Sequence, residues 1–309
     1  MDTAELAAIA AALCWTGSSL TFGLASRAVG AVPVNQFRLF AAVPVVFVLH
    51  AAIVGGLWPE GLDLRRTSLL ACSGVVGLAI GDLGYFYALA LVGPRLSSVV
   101  QASWPALALL MAWAFSGEAP GVREGLGLAL TTLGVVAVVA RSRDGSSWRP
   151  DITPRMRFLG VLGAFTAALG QAGGMVLSRI AMQGGADLPE GLPPLSATVV
   201  RLLAGTLGVV AISMCQRQST AFTVLLKGGA PTRNTLIGTF FGPVVGIFLS
   251  MYATRHATNA GTAAALMSLT PLFLLPVAWI AYRARLTPMA VVGTLLATAG
   301  AVVLVSGGR

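Results

Sequence analysis

Gly125–Ala140 reads GLGLALTTLGVVAVVA, and Val291–Ser306 reads VVGTLLATAGAVVLVS. Laid over each other without a gap, the two stretches match at a fixed offset. Gly127 falls on Gly293 (293 − 127 = 166), Leu130 on Leu296, Thr132 on Thr298, Gly134 on Gly300, Val136 on Val302 and Val139 on Val305. The same offset runs back to Tyr85. It places Pro105 on Pro271 and Ala112-Trp113 on Ala278-Trp279. Both stretches are almost wholly apolar. A hydrophobic unit repeated once along a chain predicts a fold of two related halves.

The solvent of such a chain is mostly lipid. Hydrophobic residues make up 56% of it and charged residues only 10%, with a mean hydropathy of +0.83. Soluble domains carry about 25% charged residues. The net charge of +9 comes almost entirely from arginine, Lys227 being the single lysine. These arginines sit singly or in short groups between apolar runs, which is how membrane topology is written. They form no basic face for nucleic acid, and no nucleic-acid partner is expected. Cys14, Cys72 and Cys215 lie in apolar runs without metal-ligand spacing, so no metal is expected. No cofactor is expected either. The acidic start, Asp2 to Glu5, does not read as a cleavable signal peptide.

Ten membrane-spanning helices are predicted, at 4–24, 33–56, 68–91, 95–116, 123–141, 158–182, 195–215, 235–255, 259–281 and 288–306. The polar run between the fifth and sixth divides the chain. Residues 4–141 form one five-helix repeat, 142–157 a basic connecting loop, and 158–306 the second repeat. Five is odd, so the second half enters the membrane from the opposite side. The predicted fold class is an all-α integral membrane protein, ten transmembrane helices arranged as two inverted five-helix repeats. With both termini outside, the inner loops hold twelve Lys and Arg side chains and the outer face six. Charge bias therefore favours that orientation.

Glycines recur at helical spacing, as Gly77-xxx-Gly81 and Gly238-xxx-Gly242-xxx-Gly246. Gly77 maps to Gly242 (242 − 77 = 165) and Gly81 to Gly246. Small residues at this spacing let helix backbones approach closely in lipid. Pro44, Pro105, Pro243, Pro271 and Pro276 fall inside predicted spans. Pro105 and Pro271, shared by the halves, are expected to bend their helices beside a central cavity.

These motifs resemble the EamA family of the drug/metabolite transporter superfamily, over nearly the whole chain. In the first unit the likeness is carried by Tyr85-Phe86-Tyr87-Ala88-Leu89, Ser97-Ser98-Val99, Trp104-Pro105, Glu118 and Gly127. In the second it is carried by Tyr252, Ala260–Ala265, Pro271 and Gly293. Arg38 and Arg201, early in the second helix of each unit, also fit. The second unit departs at Ala284, where Glu118 would recur. The resemblance implies a multi-pass inner-membrane carrier with lipid and a small-molecule substrate as partners. Its nearest kind is the YddG-like exporters of amino acids and other metabolites, with nucleotide-sugar carriers a more distant one.

Several polar residues inside spans are candidates for a substrate cavity. Asp82 is costly in lipid and should face water or a partner. It would bind a substrate amine, titrate with a coupling proton, or pair with an arginine. Arg38 and Arg201 are deep cations, suited to a carboxylate or to a fixed partner such as Asp82. Gln101 and Ser103 flank Trp104, just before Pro105, and this cluster is expected to form a substrate wall. Gln171 and Ser268 are further polar candidates. Tyr85, Tyr252, Trp15 and Trp104 are aromatic ones, while Trp113 and Trp279 are expected to pack internally. No nucleotide-binding loop is present, and paired catalytic groups are lacking. The expected activity is secondary transport by alternating access, not enzymatic chemistry. A membrane-embedded enzyme and a lipid flippase are the readings from other classes.

Overall fold

A computed structural model describes residues 3–116, 121–141, 148–149, 151–184, 190–256, 266–267, 269–282 and 288–306. Among these residues the regular structure is entirely helical. The first half contains α1 (Thr3–Val29), α2 (Ala31–Val54), α3 (Leu64–Gly74), a π-helical segment π1 (Val75–Gly81), α4 (Asp82–Gln101), α5 (Trp104–Ser116) and α6 (Val122–Arg141). The second contains α7 (Pro154–Met182), α8 (Pro194–Cys215), a short α9 (Thr223–Leu226), α10 (Ala230–Thr239), π2 (Phe240–Gly246), α11 (Ile247–His256), α12 (Thr270–Tyr282) and α13 (Pro288–Ser306).

Local sequence explains the helix ends. Asp63 caps α3 by accepting from the Arg66 backbone N–H, and Thr153 caps α7 through Met156. Pro154 opens α7, where no intrahelical N–H is needed. Gly30, at φ 95°, turns α1 directly into α2. Among the described residues, five helical stretches are long and apolar enough to cross a bilayer: Thr3–Val29, Ala31–Val54, Leu64–Gln101, Pro154–Met182 and Pro194–Cys215. The third of these is interrupted at Gly93, whose φ of 81° and ψ of 169° no helix accommodates.

Several predicted spans differ in detail. The third and eighth are not uniform α-helices, because each contains a seven-residue π segment. The two segments begin at equivalent places in the repeat (240 − 75 = 165). The fourth span is broken at Ala102–Ser103, and Pro105 is the second residue of a new helix rather than a bend within one. Pro271 is likewise second in α12. Both helices have 13 residues, again offset by 166 (270 − 104). In a first helical turn proline loses no hydrogen bond.

The inversion of the halves can be read from α6 and α13, which pack along their length. A Cβ on Gly134 would lie 2.6 Å from the Gly293 carbonyl oxygen, and one on Gly300 would lie 2.8 Å from that of Gly127. Partner numbers fall as α6 numbers rise, so the helices are antiparallel. They are also equivalents in the repeat. Equivalent helices crossing antiparallel require halves that traverse the membrane in opposite senses. The remaining contacts obey the same two-fold relation. α1 packs on α10, π2 and α11, while its counterpart α7 packs on α3, π1 and α4; α2 packs on its own counterpart, α8.

Large apolar side chains cover the outside, among them Val48, Leu133, Phe158 and Leu207, each more than half exposed. Such a surface belongs in hydrocarbon. Trp279 is also on it at 62% exposure, which corrects the expectation that it packs internally. The side chain of Trp113 lies outside the described residues. Part of the connecting loop is anchored. The buried ring of Trp148 seats on Gly93 and against Gly23, with the Arg27 guanidinium 5.3 Å above it.

Candidate functional site

The site grows from one face of α4. Asp82, Tyr85 and Phe86 are three and four residues apart, so their side chains share that face. Arg38 reaches them from α2. Its Nη2 donates to Asp82 Oδ2 at 2.6 Å and to Asn35 Oδ1 at 3.1 Å. The guanidinium also lies 5.2 Å from the Phe86 ring centroid and 6.0 Å from that of Phe22 on α1. Phe22 and Phe86 meet edge to face at 5.1 Å. Aromatic faces and a carboxylate together offset part of the desolvation that a cation suffers in lipid. The Arg38 side chain is 8% exposed, whereas Asp82 keeps 21%.

Next to this ion pair is a chain of hydroxyls. Tyr85 Oη lies 2.8 Å from Ser19 Oγ and 3.2 Å from Ser98 Oγ. Ser98 sits beyond the Gly93 interruption, so Tyr85 ties both parts of α4 to α1. Sequence reasoning proposed Tyr85 but not Ser19, Asn35 or Phe22. The serine pair Ser18-Ser19 inside an apolar helix was the available signal.

The arrangement is short of acceptors. Asn35 Nδ2, Arg38 Nε and Arg201 Nε are buried without hydrogen-bond partners. Asp82 pairs with Arg38, and Arg201, on α8, forms no ion pair with it. The Asp82 counterpart in the second half is Ile247 (247 − 82 = 165), which cannot pair with Arg201.

The other predicted residues are dispersed. Gln101 ends α4, and its Oε1 is buried and unpartnered. Ser103 donates to its own Val100 carbonyl at 2.7 Å, so its hydroxyl closes the break between α4 and α5. Trp104 is half-buried at the start of α5, and Gln171 is half-buried on α7. Trp15 does not join the Arg38–Asp82 cluster. Its ring lies over Gly242 and Gly246, and its Nε1 donates to Ser250 at 3.4 Å. Tyr252 packs beside Ala7, Ala8 and Ala253. Ser268 lies outside the described residues.

The repeat of two units agrees with a comparison against protein families. The model of the EamA-like transporter family matches residues 2–140 and again 158–306. The chain belongs to the EamA-like transporter family. It is therefore a multi-pass membrane transporter, and its two matched units meet at α6 and α13. No curated protein matches it. One solved crystal structure, described only as a protein, is similar at 19% identity and a TM-score of 0.62, covering 98% of this chain and 95% of its own. That likeness concerns the fold alone.

Proposed function

We propose that this EamA-like transporter exports small zwitterionic metabolites, most readily neutral or aromatic amino acids, as YddG-like proteins do. The observation that carries the reading is the Arg38–Asp82 pair with Tyr85, Ser19 and Ser98, where α1, α2 and α4 meet. A guanidinium, a partly exposed carboxylate and a run of hydroxyls suit a solute bearing both charges. The two halves rock about this centre, opening it to one side of the bacterial inner membrane at a time. Gly81 facing Gly170, and Gly242 facing Ser18, give the moving contacts small side chains. Arg38 holds Asp82 at 2.6 Å and so fixes its place at this centre. Export is driven by the substrate's own gradient or by a proton gradient.

The test is counterflow in proteoliposomes loaded with unlabelled alanine, leucine, phenylalanine or threonine. Accumulation of the matching labelled amino acid, recovered unmodified, is expected. Failure of the whole panel, with exchange of a sugar or nucleotide sugar instead, would replace the substrate class. Recovery of altered substrate would indicate an enzyme, and movement of a lipid reporter alone would indicate a flippase.

A further inference from the structure

Arg201 is the one deep cation among the described residues left without an anion. Arg38, its counterpart in the first half, is taken by Asp82. Arg201 Nε is buried and has no hydrogen-bond partner. Its Nη2 lies over two glycines, 3.6 Å from the position a Cβ would occupy on Gly77 and 3.5 Å from that on Gly174. No side chain from π1 or α7 covers it at those points. The residue as a whole is only partly buried, and Nε is the one guanidinium nitrogen sealed from the surface without a partner. Its backbone is fixed, because Gly74 packs directly on the Arg201 carbonyl. An arginine inside an apolar span is costly unless it is paired, and a pinned guanidinium there calls for an anion.

We propose that Arg201 binds the carboxylate of the transported substrate through its planar fork. This deepens the transport reading above and rests on it, by assigning the anionic end of the substrate to α8. Charge limits the class. Two guanidiniums and one carboxylate leave a single unpaired positive charge (2 − 1 = +1). A monocarboxylate head balances it, zwitterionic amino acids included. A diphosphate would bring surplus negative charge into lipid.

Binding can be measured apart from transport, by thermal unfolding of the purified full-length protein in detergent. Acetate, propionate and benzoate are compared with acetamide, propionamide and benzamide, at ionic strength matched with sodium chloride. The carboxylates should raise the unfolding temperature and the amides should not. Arg201→Gln should weaken the apparent carboxylate affinity about ten-fold or more, the loss expected for a charge-assisted bond. Gly174→Ala, whose Cβ would sit 3.5 Å from Nη2 and 3.3 Å from the Ser73 carbonyl oxygen, crowds the guanidinium while keeping Arg201; it should weaken carboxylate affinity too, and it serves if Arg201→Gln does not fold. Equal shifts from carboxylates and amides, or a carboxylate shift unchanged in either variant, would overturn the proposal. Carboxylate binding through Arg201 without exchange of any amino acid would leave this site standing and remove the amino-acid reading. Amino-acid exchange untouched by Arg201→Gln would do the reverse.

Discussion

Replacing Gly134 by alanine tests the packing of the two halves most directly. The added Cβ would sit 2.3 Å from the Ala297 backbone nitrogen and 2.6 Å from the Gly293 carbonyl oxygen, whereas ordinary contact begins at 3.4 Å. The shortfall is 1.1 Å (3.4 − 2.3), and the partner is backbone, which cannot rotate away. α6 and α13 must therefore separate by nearly that much. A gap of this size forfeits a quarter to a half of each dispersion contact. Over roughly 20 atom pairs at ~0.15 kcal/mol that is about 1 kcal/mol, to which local strain adds a similar amount. In lipid no hydrophobic effect between helices compensates, because packing is what holds them. Gly125→Ala on the same helix is the control, since nothing lies within 4 Å of its Cβ position. Both variants gain the same helix propensity, about 1 kcal/mol. Equilibrium unfolding by SDS in mixed micelles should then place Gly134→Ala about 2 kcal/mol below Gly125→Ala. Adding Gly300→Ala should cost less than its effect alone, because one separation relieves both clashes. Equal stability of the 134 and 125 variants, or full additivity of 134 with 300, would refute the reasoning.

Other variants probe the polar centre and the loops. Arg38→Gln strands Asp82 in the bundle and should destabilise by about 3 kcal/mol, with Asp82→Asn added on top recovering part of it in the same unfolding assay. Tyr85→Phe removes the bridge between Ser19 and Ser98, so about 1 kcal/mol of stability and a measurable part of the counterflow rate should go. Gln36 accepts from Phe222 N–H at 2.9 Å and donates to the Gln218 carbonyl at 3.0 Å, so Gln36→Leu should cost about 1–3 kcal/mol, read as a lower SDS midpoint. Gly93→Ala forces a side chain into a φ of 81° and onto the Trp148 ring at 2.8 Å; Trp148→Ala added to it should restore part of the lost stability, because only the steric share is removed.

The repeat was legible because α6 and α13 carry the same residues at the same spacing, and those shared glycines turn out to face one another. The odd number of helices per half then predicted the inversion that their antiparallel crossing displays. Asp82 and Arg38 were legible as costly charges in apolar runs, and one of the readings kept open for them was that they hold each other. Trp279 was not assigned correctly from sequence, for a physical reason. In a membrane protein the core and the surroundings are both apolar, so hydropathy offers no contrast between inside and outside. Trp279 faces out, and Trp15 fills the groove beside Gly242 and Gly246. The open state of Arg201 was hidden too. It depends on glycines in two other helices, which only the folded chain brings beside it.

The paired π segments carry a last consequence. A π turn is an ordinary helix holding one surplus residue. Each residue advances a helix by about 100° of azimuth. Were Val75–Gly81 to wind as a regular α-helix with all its residues kept, everything downstream would swing by that angle. Asp82 and Tyr85 would turn away from Arg38 and Ser19 although every side chain in the site was still present. The compass bearing of the polar face is thus kept by an extra link in the spiral, and the same spare link waits at Phe240–Gly246 in the other half.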